Sequence, residues 1–197
     1  MCDADFYQGA YPELLEVQNE LRRFAETAGG LRAGGARNPV EHYKLRIKSS
    51  ESMLDKLHRR GLSQTLDAAL CQAHDAVGMR LVCSFLSDIY QAAETIRQTY
   101  RVVEEKDYIR NPKSNGYRSY HMILSFPAGE QGRTYEMQAE IQLRTIAMDC
   151  WASLEHEMKY KHDIAHQTLI VEELKRCAEE LASADLRMQT IRELLAE

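Results

Sequence analysis

The chain has 197 residues, 44% of them hydrophobic and 28% charged, with a formal net charge of −5, which excludes wholesale disorder and allows a buried core. No apolar run reaches the roughly 20 residues of a membrane span, and residues 1–10 lack the basic and apolar regions of a secretory signal. Five scattered cysteines (Cys2, Cys71, Cys83, Cys150, Cys177) include no CxxC pair, which argues against a disulfide framework or structural zinc and for a reducing, cytoplasmic setting.

The charge is unevenly spread. Residues 1–41 carry four basic and seven acidic groups, residues 163–197 four and eight, and residues 42–162 seventeen and fifteen. Acidic ends flank a more basic centre, which is where an anionic ligand would sit.

In chain order, Pro12 can start a helix with Leu14, Val17, Leu21 and Phe24 on one stripe, ended by Gly29-Gly30 and Gly34-Gly35. Residues 42–48 alternate: Tyr43, Leu45 and Ile47 face one way, Lys44, Arg46 and Lys48 the other. Ser49 and Ser50 can cap a short helix with Met53, Leu54 and Leu57, stopped by Gly61. A second short helix is expected near 64–73. Residues 76–85 read as a buried strand, and Ser87 as the cap of a helix with Ile89, Ala93, Ile96 and Tyr100. A strand near 101–106, a turn-rich loop over 107–118 and a strand over 119–126 follow. Pro127, Gly129 and Gly132 signal a hairpin. Residues 133–144 alternate, with Tyr135, Met137, Ala139, Ile141 and Leu143 opposite Glu136, Gln138, Glu140, Gln142 and Arg144. Helices are expected from Thr145 to about Lys161 and over 168–195. The whole is an α+β chain: a mixed sheet flanked by helices, with helical extensions at both ends. We take it as one domain, with a core of about 40–162, an N-terminal helix over 11–28 and a C-terminal helix over 168–195.

Three features carry chemistry. Residues 42–60 hold six basic and two acidic groups; the row suits a solvated face, and equally a polyphosphate that guanidinium and ammonium groups would bind. Asp75 opens the strand Ala76-Val77-Gly78-Met79-Arg80. With Glu140 as a second carboxylate it could hold Mg²⁺ bridging phosphates, though a capping role would also suit it. The loop from Lys106 to Arg118 mixes cations, turn residues and aromatics, so Tyr117 beside Arg118 could stack on a base. There is no GxxxxGK[ST] loop, GxGxxG fingerprint, HExxH pair or GxSxG elbow. The His162/His166 pair lacks a third ligand, and Trp151 reads as helix packing.

The runs His42-Tyr-Lys-Leu-Arg-Ile-Lys48-Ser-Ser-Glu-Ser52, Asp75-Ala-Val-Gly-Met-Arg80, Lys106-Asp-Tyr-Ile-Arg-Asn-Pro-Lys-Ser-Asn-Gly-Tyr117-Arg-Ser-Tyr-His121, Glu140-Ile-Gln-Leu-Arg-Thr145 and Ala147-Met-Asp-Cys-Trp151-Ala-Ser-Leu-Glu-His156 together resemble the synthetase domain of the RelA/SpoT family. The short length is similar to that of the small alarmone synthetases. The resemblance, over about residues 10–195, implies a nucleotidyltransferase-like synthetase fold. It implies transfer of pyrophosphate from ATP to the ribose 3′-hydroxyl of GDP or GTP, giving (p)ppGpp and AMP. By motif, Arg46 and Arg80 would sandwich adenine, while Lys48, Ser52, Lys56 and Arg59 would hold the ATP phosphates. Asp75 and Glu140 would bind Mg²⁺, with Glu140 also activating the hydroxyl. Tyr117 would stack on guanine, and Lys113, His121, Gln142 and Arg144 would sit near the acceptor nucleotide. Tyr120 replaces the usual aliphatic residue and is expected only to pack, on the face opposite His121. A homotetramer is implied. RNA remains an alternative partner, since some toxic relatives modify the tRNA 3′-end instead; a decayed nucleotide-binding module is the non-enzymatic alternative.

Overall fold

The structure, a computed structural model, describes residues 6–26, 39–127, 136–159 and 167–196. Helix α1 (Tyr11–Glu26) leads to strand β1 (Val40–Ile47), helix α2 (Ser50–Arg59), a π-helical turn (Ala68–Gln72), strand β2 (Val77–Cys83) and helix α3 (Leu86–Thr99). Strands β3 (Arg101–Asp107), β4 (Tyr120–Pro127) and β5 (Glu136–Thr145) follow, then helices α4 (Ile146–Lys159) and α5 (Gln167–Leu194). The five strands form one sheet in the order β1-β2-β5-β4-β3. Only β2 and β5 run parallel, which makes the sheet mixed, as the sequence predicts.

Strand alternation sorts the side chains into two layers. Met79, Leu81, Met122, Leu124, Ile141 and Leu143 are buried on one face, together with Leu14, Val17, Leu21 and Phe24 of α1 and Ile89, Ala93 and Ile96 of α3. The aromatic chain from Phe24 to Tyr100 (5.4 Å) to Phe126 (5.6 Å) ties α1, the end of α3 and β4 together. The other face carries the polar set and is left open as a cleft. A smaller apolar cluster joins Trp151 and Ala152 of α4 to Ala178 of α5, and Trp151 Nε1 donates to the Leu174 carbonyl (2.7 Å).

Local signals explain most boundaries. Ser49 Oγ accepts from the Ser52 amide at the start of α2, and Gly61, at φ +65°, supplies the left-handed turn that ends it. The residues near 64–73 condense into a π-helical turn rather than an α-helix. Ser87 does not cap α3. The cap is Phe85, without a side-chain bond, and the Ser87 amide and hydroxyl both donate to Gln189 Oε1 of α5 (3.2 and 3.0 Å). A distant helix therefore satisfies the donor that a local cap would have taken. The expected hairpin turn at 128–132 and Tyr135 lie outside the described residues.

Candidate active site

Strand register builds the site. One row runs across the whole sheet: Lys44, Arg80, Gln142, His121 and Lys106. The next holds Arg46, Gly78, Glu140, Ile123 and Glu104. Gly78 contributes no side chain, so the floor between Arg46 and Glu140 is open; a Cβ there would lie 3.7 Å from Arg46 Nε. The resulting cleft, about 470 Å³, is bordered by Lys44, Arg46, Asp75, Arg80, Glu140 and Gln142. A second recess of about 220 Å³ adjoins it, with Lys56, Arg60, His74, Lys106, Lys113 and His121 around it. Glu140 borders both spaces.

Asp75 and Glu140 thus open onto one cleft, on one side of the sheet. Asp75 is buried. Its Oδ2 accepts from Lys48 Nζ (2.9 Å), and Lys56 Nζ lies 2.8 Å from Oδ1. Lys56 Nζ also donates to the Ala73 carbonyl (2.9 Å), so each Asp75 oxygen is held by one ammonium group. His74, just before it, holds φ at +70°, a turn that costs a residue with a side chain and recurs at functional sites.

Around Glu140 the side chains close a ring. His121 Nδ1 lies 3.0 Å from Glu140 Oε1, and Gln142 Nε2 donates to Glu140 Oε2 (2.9 Å). Arg144 Nη2 donates to Gln142 Oε1 (2.8 Å) and to the Tyr117 hydroxyl (2.9 Å). That hydroxyl lies 2.8 Å from His121 Nε2. An ionised carboxylate only accepts, so His121 donates from Nδ1. Burial works to raise the Glu140 pKa, but the His121 hydrogen bond and charge, the Gln142 donor and nearby Lys56 outweigh it and bring it down to about 2.

The loop that carries Tyr117 is shaped by its own sequence. Asp107 Oδ1 accepts from the Ile109 and Arg110 amides (both 2.9 Å). Asn115 Oδ1 accepts from the Tyr117 amide (3.2 Å), and Gly116 turns at φ +90°. A Cβ at Gly116 would come within 2.7 Å of Ala178 Cβ, so α5 packs directly on this turn. The Tyr117 ring meets Trp151 (6.4 Å), Tyr108 (6.1 Å) and His121 (5.8 Å), and Lys113 Nζ sits 4.8 Å from its centre.

Residues 45–165 match the family region described as "Region found in RelA / SpoT proteins". The chain belongs to the RelA/SpoT family. It is 45% identical over 159 residues to the GTP pyrophosphokinase YwaC of Bacillus subtilis (strain 168), covering 79% of this chain and 75% of that protein. It is 32% identical over 157 residues to the GTP pyrophosphokinase YjbM of the same organism, covering 79% and 73%. Its fold is similar to that of small alarmone synthetase 1 from Bacillus subtilis bound to its product pppGpp, with a TM-score of 0.83, 28% identity and 99% and 100% of the two chains covered. Small alarmone synthetase 2 from Bacillus subtilis gives a TM-score of 0.76 at 40% identity, covering 92% and 97%.

Within this RelA/SpoT chain the motif residues divide. Arg46, Asp75, Arg80, Glu140 and Gln142 border the larger cleft, and Lys56, Lys113 and His121 the recess. Lys48 reaches the site through Asp75, while Tyr117 and Arg144 reach it through the ring. Ser52 and Arg59 are exposed on α2 and border neither space; Ser52 instead bonds Ser49 (2.9 Å). Tyr120 lies on the face opposite His121, as expected, but does more than pack. Its hydroxyl accepts from Arg97 (2.9 Å) and donates to Glu105, and its ring meets Tyr90 edge-on (5.8 Å). Sequence reasoning gave no site role to His74 or Asp149, and placed Arg60 only within the basic row and Tyr108 only within its loop. For Asp149 a signal existed: a carboxylate inside the apolar run Ile146-Ala-Met-Asp-Cys-Trp151 has to be paired once that helix packs.

Proposed function

We infer that the chain is a (p)ppGpp synthetase, an ATP-dependent GTP pyrophosphokinase that transfers pyrophosphate to the 3′-hydroxyl of GDP or GTP and releases AMP. The observation that carries the reading is Glu140, an ionised carboxylate at the junction of two cation-lined spaces. Two nucleotides bound one in each space would meet across it.

In this reading Arg46 and Arg80 flank the donor base, and Lys48 and Lys56 turn from Asp75 to the donor phosphates. Tyr117 offers its ring to guanine once Lys113 swings aside. The 3′-oxygen forms a bond to the β-phosphorus of ATP, the bond from that phosphorus to the α–β bridging oxygen breaks, and AMP leaves. The hydroxyl proton goes to Glu140. A carboxylate of such low basicity takes it late, as the oxygen commits its electrons to phosphorus, which suits a loose transition state. His121 and Gln142 hold the acceptor oxygens in place throughout, and positioning supplies much of the rate.

The donor set suits Mg²⁺. Asp75 and Glu140 present carboxylate oxygens, the hard donors this ion prefers, to one cleft. Among the described residues no cluster of three His, Cys, Asp or Glu side chains is suited to a metal, so substrate phosphates would complete the shell, a common arrangement for this ion. Bound there, Mg²⁺ would neutralise charge on the phosphoryl oxygens.

We also propose a homo-oligomer, of which a tetramer is the family's form. Leu186, Met188, Ile191, Leu194 and Leu195 stand 51–83% exposed on and just after α5, which supports a partner surface there. No helix among the described residues is long and apolar enough to cross a membrane. The four described cysteines are free, which supports a reducing, cytoplasmic location. Incubation with labelled ATP, Mg²⁺ and GDP, GTP or tRNA in turn tests the reading. AMP release matched to a 3′-pyrophosphorylated guanosine nucleotide is expected. Label transfer to tRNA alone, or no AMP, would overturn it.

A further inference from the structure

One carboxylate outside the catalytic ring touches both halves of the site. Asp149 lies in the first turn of α4 and is buried, at 7% exposure. Its Oδ1 accepts from Arg144 Nη1 (3.0 Å) and sits 3.0 Å from Arg80 Nη1. Its Oδ2 is 4.0 Å from His42 Nε2. Arg80 and Arg144 rise from adjacent parallel strands on the same face, paired through Gln142 and Val82. Two guanidinium groups this close repel each other, and burial makes that costlier. Burial and Arg144 both push the Arg80 pKa down, and Asp149 pushes it back up. Both Nε atoms are buried without a hydrogen bond, so Asp149 is a principal anchor for each head group. The helix N-terminus in turn favours the carboxylate's charge.

The two arginines face different ways. Arg80 borders the larger cleft, whereas Arg144 reaches Tyr117 and Gln142. We propose that Asp149 is a positioning residue that couples the two nucleotide sites: by holding Arg80 and Arg144 on one oxygen, it lets occupancy of one site set the arginine that meets the other. This rests on the reading above that Arg80 serves ATP and Arg144 the acceptor. A donor base that draws Arg80 away would leave Asp149 wholly to Arg144, firming the ring around Tyr117 and Glu140. Linkage makes the effect reciprocal, so GDP would favour ATP by the same factor.

Calorimetry on the full chain tests this, with a non-hydrolysable ATP analogue titrated with and without GDP, and GDP with and without the analogue. Wild type is expected to bind each nucleotide about tenfold more tightly when the other is present, within the usual range for coupled sites. D149N keeps the shape and loses the charge; it should bring that factor to about one while weakening both nucleotides, and D149E should restore part of it. R80A should weaken chiefly the analogue and R144A chiefly GDP. Should D149N not fold, the R80A/R144A double variant decides: a shared anchor predicts that its loss departs more than about threefold from the product of the single losses. Coupling that survives D149N within twofold, a wild type without coupling, or independent arginine losses would overturn the proposal. If R80A and R144A fail to separate the two nucleotides, the assignment of sites itself is wrong, a different outcome from a clean separation with D149N unchanged.

Discussion

On the β1–β2 side of the cleft, Lys44 and Arg46 stand exposed along a strand and Arg60 just past the end of α2, while Lys48 and Lys56 share one carboxylate. On the β4–β5 side, Tyr117, His121, Glu140, Gln142 and Arg144 are already bonded to one another in a closed ring, and the loop behind them is pinned by α5. The first arrangement leaves cations ready to exchange partners, which suits a polyphosphate that brings its own charge. The second is set before any ligand arrives, which suits a hydroxyl that has to be aimed.

Lesions should therefore act differently on the two sides. The largest loss belongs to the residue they share. E140Q keeps the shape and removes the proton acceptor, so AMP release should fall about a thousandfold, within the range for a general base, in a protein that still folds but melts earlier because the ionic hydrogen bonds of Glu140 are lost. D75N should follow, with a loss of about a hundredfold, a raised Mg²⁺ requirement and a larger effect on ATP than on GDP. An equal effect on both nucleotides would erase the contrast. Y117A should raise the GDP KM by roughly 10- to 100-fold, the worth of a base stack, and leave the ATP KM within about twofold. Y117F would sharpen the comparison: the ring stays, so the GDP KM should hold while kcat drops a few-fold as His121 loses its partner. G116A is the mildest lesion for activity. Its Cβ would meet Ala178 Cβ at 2.7 Å at a positive φ, a combined strain and overpacking cost of about 2–5 kcal/mol in stability, while the GDP KM should rise a few-fold only.

Acidity gives a last check. The Glu140 pKa is depressed from an ordinary 4.5 to about 2. Its stabilising contribution is full above 4.5 and is lost as pH falls through about 2. Wild type should lose stability across that window, and E140Q should lose less. An acidic limb near neutrality in the pH–rate profile would belong to another group.

How much of this was legible in the residues varies by range of interaction. Period-two alternation placed Lys44, Arg46, Glu140 and Gln142 on the polar layer, because a strand's facing is decided within a few residues. The loop from Asp107 to Gly116 was readable for the same reason, since Asp107, Asn115 and Gly116 shape it locally. The rows that bring Lys44 beside Arg80 and Gln142 depend on strand order, which alternation does not encode. Ser87 shows the limit plainly: its local context reads as a cap, and Gln189, 102 positions away, decides otherwise. Asp149 was missed for a like reason, because its value lies in two arginines that only the parallel β2–β5 pairing sets together.

The central claim is that two nucleotides meet across Glu140. A crystal structure with a non-hydrolysable ATP analogue and GDP tests it most directly. The account predicts the ribose 3′-oxygen within hydrogen-bond reach of the Glu140 carboxylate, roughly 2.6–3.2 Å, with the analogue's β-phosphorus on the far side of that oxygen. A GDP whose 3′-oxygen points away from Glu140, or an analogue bound outside the cleft bordered by Arg46 and Arg80, would contradict it.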